Sequence, residues 1–259
     1  MSGLGDVQSS RDERNLGIRK VGVKDLEYPI RLLDRSSEIQ HTIATVSMYV
    51  DLPQEYRGTH MSRFIEVLER HSVRLDPREL DAVLQDISST FSSATAHIDI
   101  SFPYFIRKKA PVSGAESYMK YLCRCEASRD GALSMHFSVD VPVNNLCPCS
   151  KEISEGGAHN QRGIIRIRVK THRFIWYEEL IETAEASASS PLYTILKRED
   201  EKYVTEQAYA HPRFVEDAAR EVALRLKEDS RVEAFTVEVE NMESIHNHSA
   251  YACITSDEL

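Results

Sequence analysis

Hydrophobic and polar residues alternate along several stretches of the chain, a period typical of β-strands that bury one face. The clearest case is TAHIDISFPYFI, residues 95–106, in which every second residue from Ala96 to Phe102 is apolar. Similar patterns predict further strands at residues 41–52, 117–128, 132–143, 163–174 and 232–244.

Other stretches place their apolar residues on one helical face. They predict helices at residues 60–71, 76–91, 177–188 and 212–227, with Asp76 as the N-cap of the second. Because strands flank a pair of helices in each half, the element order predicts an α+β fold with mostly antiparallel sheets and helices on one face.

The domain organisation follows from this order and from the polar start of the chain. We expect a flexible N-terminal tail over residues 1–18, a first module over 19–146, and a second module over 147–259 that carries a metal site.

Composition narrows the class of protein. With 259 residues, 41% of them apolar and 28% charged, the chain is typical of soluble globular proteins. Its start lacks the apolar segment of a secretory signal, and no apolar run is long enough to span a bilayer. We therefore expect a cytoplasmic protein without a membrane partner. The net charge of −9 argues against a nucleic-acid partner.

Five cysteines in a reducing compartment do not indicate a disulfide framework. Cys123 and Cys125 share one face of a predicted strand and are expected to be buried and inert, as is Cys253. Cys147 and Cys149 differ, because they follow a strand within the turn-forming segment NNLCPCS. Metal binding, nucleophilic or acid–base chemistry, and plain burial all remain open for this pair.

Histidines near loops and strand ends are possible partners for these thiols. His159 lies in the glycine-rich segment GGAHNQRG, and His246 and His248 are spaced so that both can face one pocket. Thiolate and imidazole together suit zinc, iron or manganese. Among the acidic residues Glu201, Glu206 and Glu216, most are expected on a solvated helix face, but one could complete a metal shell and another, near a helix start, could bind a polar heterocycle.

Taken together and in order, the segments YRGTHMSRF, NNLCPCS, GAHNQRG, YVTEQAYAHPRFVEDAAR and SIHNHSAYA resemble the type IB GTP cyclohydrolase I family. The resemblance extends from about residue 20 to the C-terminus. It implies a tunnelling fold with two fused modules per chain, each an antiparallel sheet with two helices. It also implies a homotetramer with active sites at subunit interfaces. The implied reaction converts GTP to 7,8-dihydroneopterin triphosphate and formate, for folate and deazaguanine-tRNA biosynthesis.

The resemblance also implies roles for particular residues. A divalent ion (manganese, zinc or iron) would be held by Cys147, His159 and Glu201, with an open position for water. Catalysis would involve Cys149, His246 and His248. Substrate binding would involve Glu216, which would hold the guanine ring, and three residues for the triphosphate, namely Arg57, His60 and Arg63.

Two alternatives stay open at this point. One is an NADPH-dependent deazaguanine nitrile oxidoreductase of the same fold, which would use a cysteine nucleophile and no metal. The other is a non-catalytic protein in which the thiols and histidines form a structural metal site or a redox sensor.

Overall fold

The computed structural model describes residue 8 and residues 10–36, 39–71 and 77–256. The chain divides into two compact units. The first comprises the described residues of Met1–Phe102 together with Arg124–Met135, and the second comprises Pro103–Cys123 together with the described residues of His136–Leu259.

The first unit is an antiparallel sheet with two helices. Its elements are β1 (Ile18–Leu33), β2 (Ile39–Leu52), α1 (Met61–His71), α2 (Pro77–Phe91) and part of each of three long strands, β3 (Thr95–Lys109), β4 (Glu116–Asp130) and β5 (Ala132–Leu146). Strand β2 pairs with β1 on one side and with β3 on the other. Helix α1 packs against β1, and α2 packs against β2. Apolar side chains of the helices, such as Phe64 and Leu84, are fully buried, as are those of β2, such as Val46.

The second unit is likewise an antiparallel sheet with helices. The elements that follow β5 are α3 (Pro148–Ile153), β6 (Asn160–Thr171), α4 (Tyr177–Ser187), β7 (Ser190–Pro191), α5 (Arg198–Ala210), α6 (Val215–Glu228), β8 (Val232–Met242) and β9 (Ser249–Thr255). Strand β6 pairs antiparallel with β5 and with β8, β9 pairs with β8, and the short β7 pairs with β5. Helix α6 packs on β8, β9 and α4.

The predicted α+β fold is confirmed, and the strongly periodic elements lie where the sequence predicts them. The apolar face predicted for α6 is buried, from Val215 to Leu226. However, this helix begins three residues later than Pro212, because the Asp217 carboxylate accepts the backbone N–H of Phe214 at 3.0 Å and so caps the helix there.

The predicted domain limits remain predictions. The two compact units share β3, β4 and β5, whereas the modules 19–146 and 147–259 meet at the end of β5. The proposed flexible tail lies partly outside the described residues, as does the predicted N-cap Asp76. Within the described part of the tail, Ser10 accepts the backbone N–H of Arg57 at 3.1 Å.

The cysteines outside the CPC segment divide into two groups. Cys123 and Cys125 are buried, as predicted, and burial raises the pKa of Cys125 to about 12. The prediction of burial is wrong for Cys253, which is exposed on the same face of β9 as the exposed Tyr251. No helix in the described part of the chain has both the length and the apolar character needed to cross a bilayer.

Candidate active site

The CPC segment lies where the β5–β6 pair ends. Pairing of Leu146 with Asn160 is the last rung of the ladder, and beyond it the backbone N–H of Cys147 donates to the carbonyl of His159 at 3.0 Å. Pro148 occupies the first position of α3, where its missing N–H and fixed φ suit a helix start. Local sequence and strand register therefore bring the thiols beside His159.

A serine stabilises this turn. The Ser150 hydroxyl accepts the backbone N–H of His159 at 3.1 Å and donates to the carbonyl of Cys147 at 3.2 Å. Both sides of the loop are thus bound to one side chain. The backbone of Cys147 is thereby held beside that of His159, with the Cys147 side chain half-buried and that of Cys149 exposed.

The two C-terminal histidines come from the loop between β8 and β9. Strands β6 and β8 are antiparallel, and Gly163 near the start of β6 pairs with Asn241 near the end of β8. The loop that follows Met242 therefore leaves the sheet at the same end as His159, which precedes β6. The rings of His246 and His248 are stacked, with centroids 5.2 Å apart and an interplanar angle of 9°. The two imidazoles therefore lie together in this loop, which is not a continuation of the strand.

The start of α6 forms another wall. The backbone N–H of Arg213 donates to the carbonyl of Leu146 at 3.0 Å, which holds the segment before the helix against the end of β5. Glu216 follows in the first turn of α6, where a carboxylate interacts favourably with the helix dipole.

These walls enclose a pocket of about 310 Å³. Six of the residues predicted for the site line it together: Cys147, Cys149, His159, Glu216, His246 and His248. Four polar residues that were not predicted also line it: Gln161, Arg213, Asn241 and Glu243. Gln161 was detectable, because it lies two residues after His159 within the quoted motif and so shares a side of the extended chain with it.

The pocket wall includes a buried polar pair. The side-chain amide of Asn145 donates to Oδ1 of Asn241 at 2.8 Å, and Asn145 Oδ1 accepts the backbone N–H of Ser189. Both asparagines are at most 1% exposed. A Cβ on Gly163 would lie 2.3 Å from Asn241 Oδ1, so glycine is needed for this pair to form.

Four predicted site residues do not line this pocket. Arg57, His60 and Arg63 belong to the first unit, on the loop before α1 and in its first turn. Glu201 is exposed on α5 and is not among the lining residues. Across the described ranges, no group of three or more His, Cys, Asp or Glu side chains is arranged to hold a metal ion. The predicted set Cys147, His159 and Glu201 is therefore not brought together within this chain.

Asp200 explains the position of Glu201. Its carboxylate accepts the backbone N–H groups of Val112, Ser113 and Lys197, each at 2.8 Å, and the Ser113 hydroxyl at 2.6 Å. Burial by itself raises the pKa of Asp200, but these hydrogen bonds, led by that of Ser113, outweigh it and hold the pKa well below its usual range. The start of α5 is thus fixed on the β3–β4 turn, with the next residue facing solvent.

An antiparallel sheet with helices, and a pocket at its strand ends that offers thiols, imidazoles and a carboxylate, define an α+β protein with the donor groups of a metal- or thiol-dependent enzyme. Comparison with solved structures supports the fold. The uricase from Arthrobacter globiformis matches with a TM-score of 0.54 over 92% of each chain, at 5% sequence identity. At this low sequence identity the likeness establishes only the fold, which is the predicted tunnelling fold.

Residues 4–252 match the family model described as type I GTP cyclohydrolase folE2. Among curated proteins, GTP cyclohydrolase FolE2 of Thermosipho africanus is 55% identical over 253 residues, covering 97% of this chain and 98% of that protein. GTP cyclohydrolase FolE2 of Fervidobacterium nodosum is 53% identical over 257 residues, covering 99% and 98%. The chain belongs to the type I GTP cyclohydrolase FolE2 family. The predicted resemblance is confirmed at this level, and the finer assignment to type IB stays a prediction.

Proposed function

We propose that this chain is a GTP cyclohydrolase I, which converts GTP and water to 7,8-dihydroneopterin triphosphate and formate. The observation that carries the proposal is the convergence of Cys147, Cys149, His159, Glu216 and the C-terminal histidines on one pocket. The FolE2 relatives, named GTP cyclohydrolases, support the same reaction.

The donor groups in the pocket fit a divalent ion. Cys147 and His159 are adjacent through their backbone hydrogen bond, and thiolate with imidazole suits zinc, iron or manganese. We assign both as ligands. When bound, such an ion lowers the pKa of its water to about 7 and supplies hydroxide at neutral pH.

Glu201 is the proposed third ligand, and its position sets a condition. Since its side chain is exposed on α5 and outside the pocket lining, a second copy of the chain has to supply it. The proposed homotetramer, with active sites at subunit interfaces, meets this condition. We assign the triphosphate to Arg57, His60 and Arg63, which also lie outside this pocket.

The other pocket residues are assigned to guanine binding and to catalysis. The Glu216 carboxylate accepts hydrogen bonds from the ring N–H and the exocyclic amine of guanine, which orients the ring. The Cys149 thiol is exposed in the pocket and is assigned to proton transfer or transient bonding at C8, where water attacks. His246 and His248 move protons as the imidazole ring of guanine opens and formate leaves.

A GTP assay tests this proposal. Purified protein is stripped with a chelator and then given Mn²⁺, Zn²⁺ or no metal, and pteridine fluorescence after mild oxidation is measured in parallel with formate. We expect both products only with metal. GTP that stays intact under every metal contradicts the proposal. Reduction of deazaguanine nitrile with NADPH, or metal loss that melts the protein without any turnover, would then identify the two alternatives.

The proposal also covers the type of the enzyme, its location in the cell, its partners and its oligomeric state. We assign it to type IB, on the strength of the CPC segment and the two C-terminal histidines, and to the cytoplasm, with GTP as its partner and no nucleic acid or membrane. Its product would serve folate and deazaguanine-tRNA biosynthesis. Light scattering of the purified protein tests the homotetramer.

A further inference from the structure

Three side chains in the pocket wall form a hydrogen-bonded chain that ends on His159. The Gln161 side-chain amide lies between the other two, with its Nε2 3.2 Å from Glu243 Oε1 and its Oε1 2.9 Å from His159 Nδ1. Gln161 is only 6% exposed, whereas His159 and Glu243 are half-buried.

Glu243 determines which way the Gln161 amide points. An ionised carboxylate accepts hydrogen bonds and donates none, so the NH₂ group of the amide has to face Glu243. Turning the amide over would place its oxygen against the Glu243 carboxylate oxygen and leave both without a donor, which is unfavourable for the buried Gln161 side chain. The carbonyl oxygen of Gln161 therefore faces the imidazole of His159.

The orientation of the amide in turn determines where His159 carries its proton. An amide oxygen can only accept, so Nδ1 of the neutral imidazole is the donor and Nε2 keeps its lone pair. The Ser244 hydroxyl also lies near Nδ1, at 3.3 Å. A hydroxyl both donates and accepts, so this longer contact is compatible with either tautomer and does not select one.

We propose that Glu243 and Gln161 are positioning residues that hold neutral His159 in the Nδ1–H tautomer and so present its Nε2 lone pair to a divalent ion. Metal-binding histidines commonly donate their second ring N–H to a neighbouring acceptor, which fixes the ring and raises its basicity. The metal part of this inference depends on the proposed function only for the assignment of His159 as a metal ligand, not for the reaction with GTP. The tautomer part does not, because it follows from the hydrogen bonds of the protein alone.

Magic-angle-spinning NMR of sedimented, metal-free protein with ¹⁵N-labelled histidine tests the tautomer at any assembly size. The measurement is made at pH about 9, where histidine side chains in general are neutral. A His159→Asn variant identifies the His159 signals by their loss. We expect a protonated Nδ1 and an unprotonated Nε2 at His159. A protonated Nε2 in the wild type overturns the proposal.

Two variants test the origin of this preference. In Glu243→Gln the new amide donates as well as accepts, so Gln161 loses its fixed orientation and His159 is expected to show both tautomers. Gln161→Leu removes the acceptor and is expected to do the same. Ser244→Ala is the matched control and should keep the Nδ1–H form. An unchanged tautomer in both variants overturns the roles of Glu243 and Gln161. Thermal melting of each metal-free variant verifies that it is folded.

The consequence for metal binding is tested by measuring metal affinity in competition with a chromogenic chelator. Glu243→Gln and Gln161→Leu are expected to bind Zn²⁺ roughly 10- to 100-fold more weakly than the wild type. Ser244→Ala should bind as the wild type does. Unchanged affinity in the first two variants overturns the link to metal binding. A protein with the expected tautomer and affinities that leaves GTP intact contradicts the proposed function but leaves this inference standing.

Discussion

The backbone N–H of Cys147 donates to the backbone carbonyl of His159 at 3.0 Å, directly beyond the last rung of the β5–β6 ladder. The relative position of thiol and imidazole is therefore set by strand register rather than by the loop between them. A slip of the register by one residue would turn every side chain of one strand to the opposite face. The buried residues of β5 and β6, such as Val141 and Ile165, oppose such a slip.

Removal of each of the two thiols of the CPC segment is expected to have a different effect. Cys149→Ala should remain folded and bind metal, but turn over GTP about 100-fold more slowly or worse, because the proposed function assigns this thiol to the chemistry at C8. Cys147→Ala should lose the metal itself. Metal content by mass spectrometry and the GTP assay distinguish these outcomes, and Cys253→Ala, exposed on β9, should change neither. Loss of metal from Cys149→Ala would indicate a closed site that uses both thiols.

Gly163→Ala tests the polar pair beside the pocket. The new methyl group would lie 2.3 Å from Asn241 Oδ1 and 3.2 Å from the carbonyl oxygen of Glu240, so the Asn145–Asn241 bond has to break or the strands have to shift. We expect a loss of about 1–3 kcal/mol in the free energy of unfolding and a fall in turnover, since Asn241 lines the pocket.

Gly156→Ala is the matched control for that variant, because a Cβ at this position meets nothing within 4 Å. Urea unfolding and the GTP assay are made on both proteins. Wild-type stability and turnover in Gly163→Ala would show that the pair tolerates the methyl group and contradict the prediction.

Much of the site was predictable from the sequence because it depends on local signals. Cys147 and Cys149 flank a proline that follows a strand, and His246 and His248 alternate at another strand end. Strand ends that lie together in one sheet bring such residues together. The position of Glu201 was not predictable in this way, because it depends on hydrogen bonds from the distant β3–β4 turn to Asp200.

The parts of the fold that the sequence did not predict lack a clear period. Strand β1 has irregular register before Leu26 and contains Asp25 at a positive φ of 57°, so less exposed and exposed residues alternate only in its second half, from Leu26 to Leu33. Helix α3 has only six residues, and α5 buries little beyond Asp200 and Ala208. In each case contacts from elsewhere in the chain, rather than local periodicity, determine the structure.

A buried ion pair in the second unit is expected to be important for stability. Lys108 Nζ lies 2.6 Å from Glu185 Oε1 and 2.8 Å from the carbonyl oxygen of Leu192, and Tyr121 donates to the same Glu185 oxygen at 2.8 Å. Both charged side chains are 14% exposed. Burial lowers the pKa of Lys108, and the Glu185 charge opposes this change.

Lys108→Met should lower the free energy of unfolding by about 3–5 kcal/mol, because it leaves the Glu185 carboxylate buried without its counter-charge. The neighbouring Lys109 provides a control: its side chain is 73% exposed and pairs with Glu116 at 3.2 Å. Lys109→Met should cost at most about 1 kcal/mol. Urea unfolding at neutral pH compares the two, and equal losses would contradict the assigned role of burial.

The hydrogen bonds to Asp200 make a prediction about acid stability. They lower the pKa of its carboxyl in the folded protein despite burial, which by itself raises it. Between this lowered pKa and the unfolded value near 3.8, the unfolded chain binds more protons than the folded one. The contribution of Asp200 to stability is therefore complete above the unfolded pKa and is lost as the pH falls towards the folded pKa.

Asp200→Asn replaces one carboxylate oxygen by an NH₂ group, which then faces backbone or hydroxyl donors instead of accepting from them. We expect its melting temperature at pH 7 to be lower than that of the wild type by roughly 4 °C or more. This difference should shrink as the pH falls below about 4, since Asp200 then becomes protonated in the unfolded wild-type chain while it stays ionised in the folded one. Differential scanning fluorimetry across this range measures it. Asp25→Asn, at a side chain 67% exposed, is the control and should match the wild type throughout. A difference in melting temperature between Asp200→Asn and the wild type that stays constant from pH 7 to about 3 would contradict the prediction. It would show that ionisation of Asp200 does not contribute to stability.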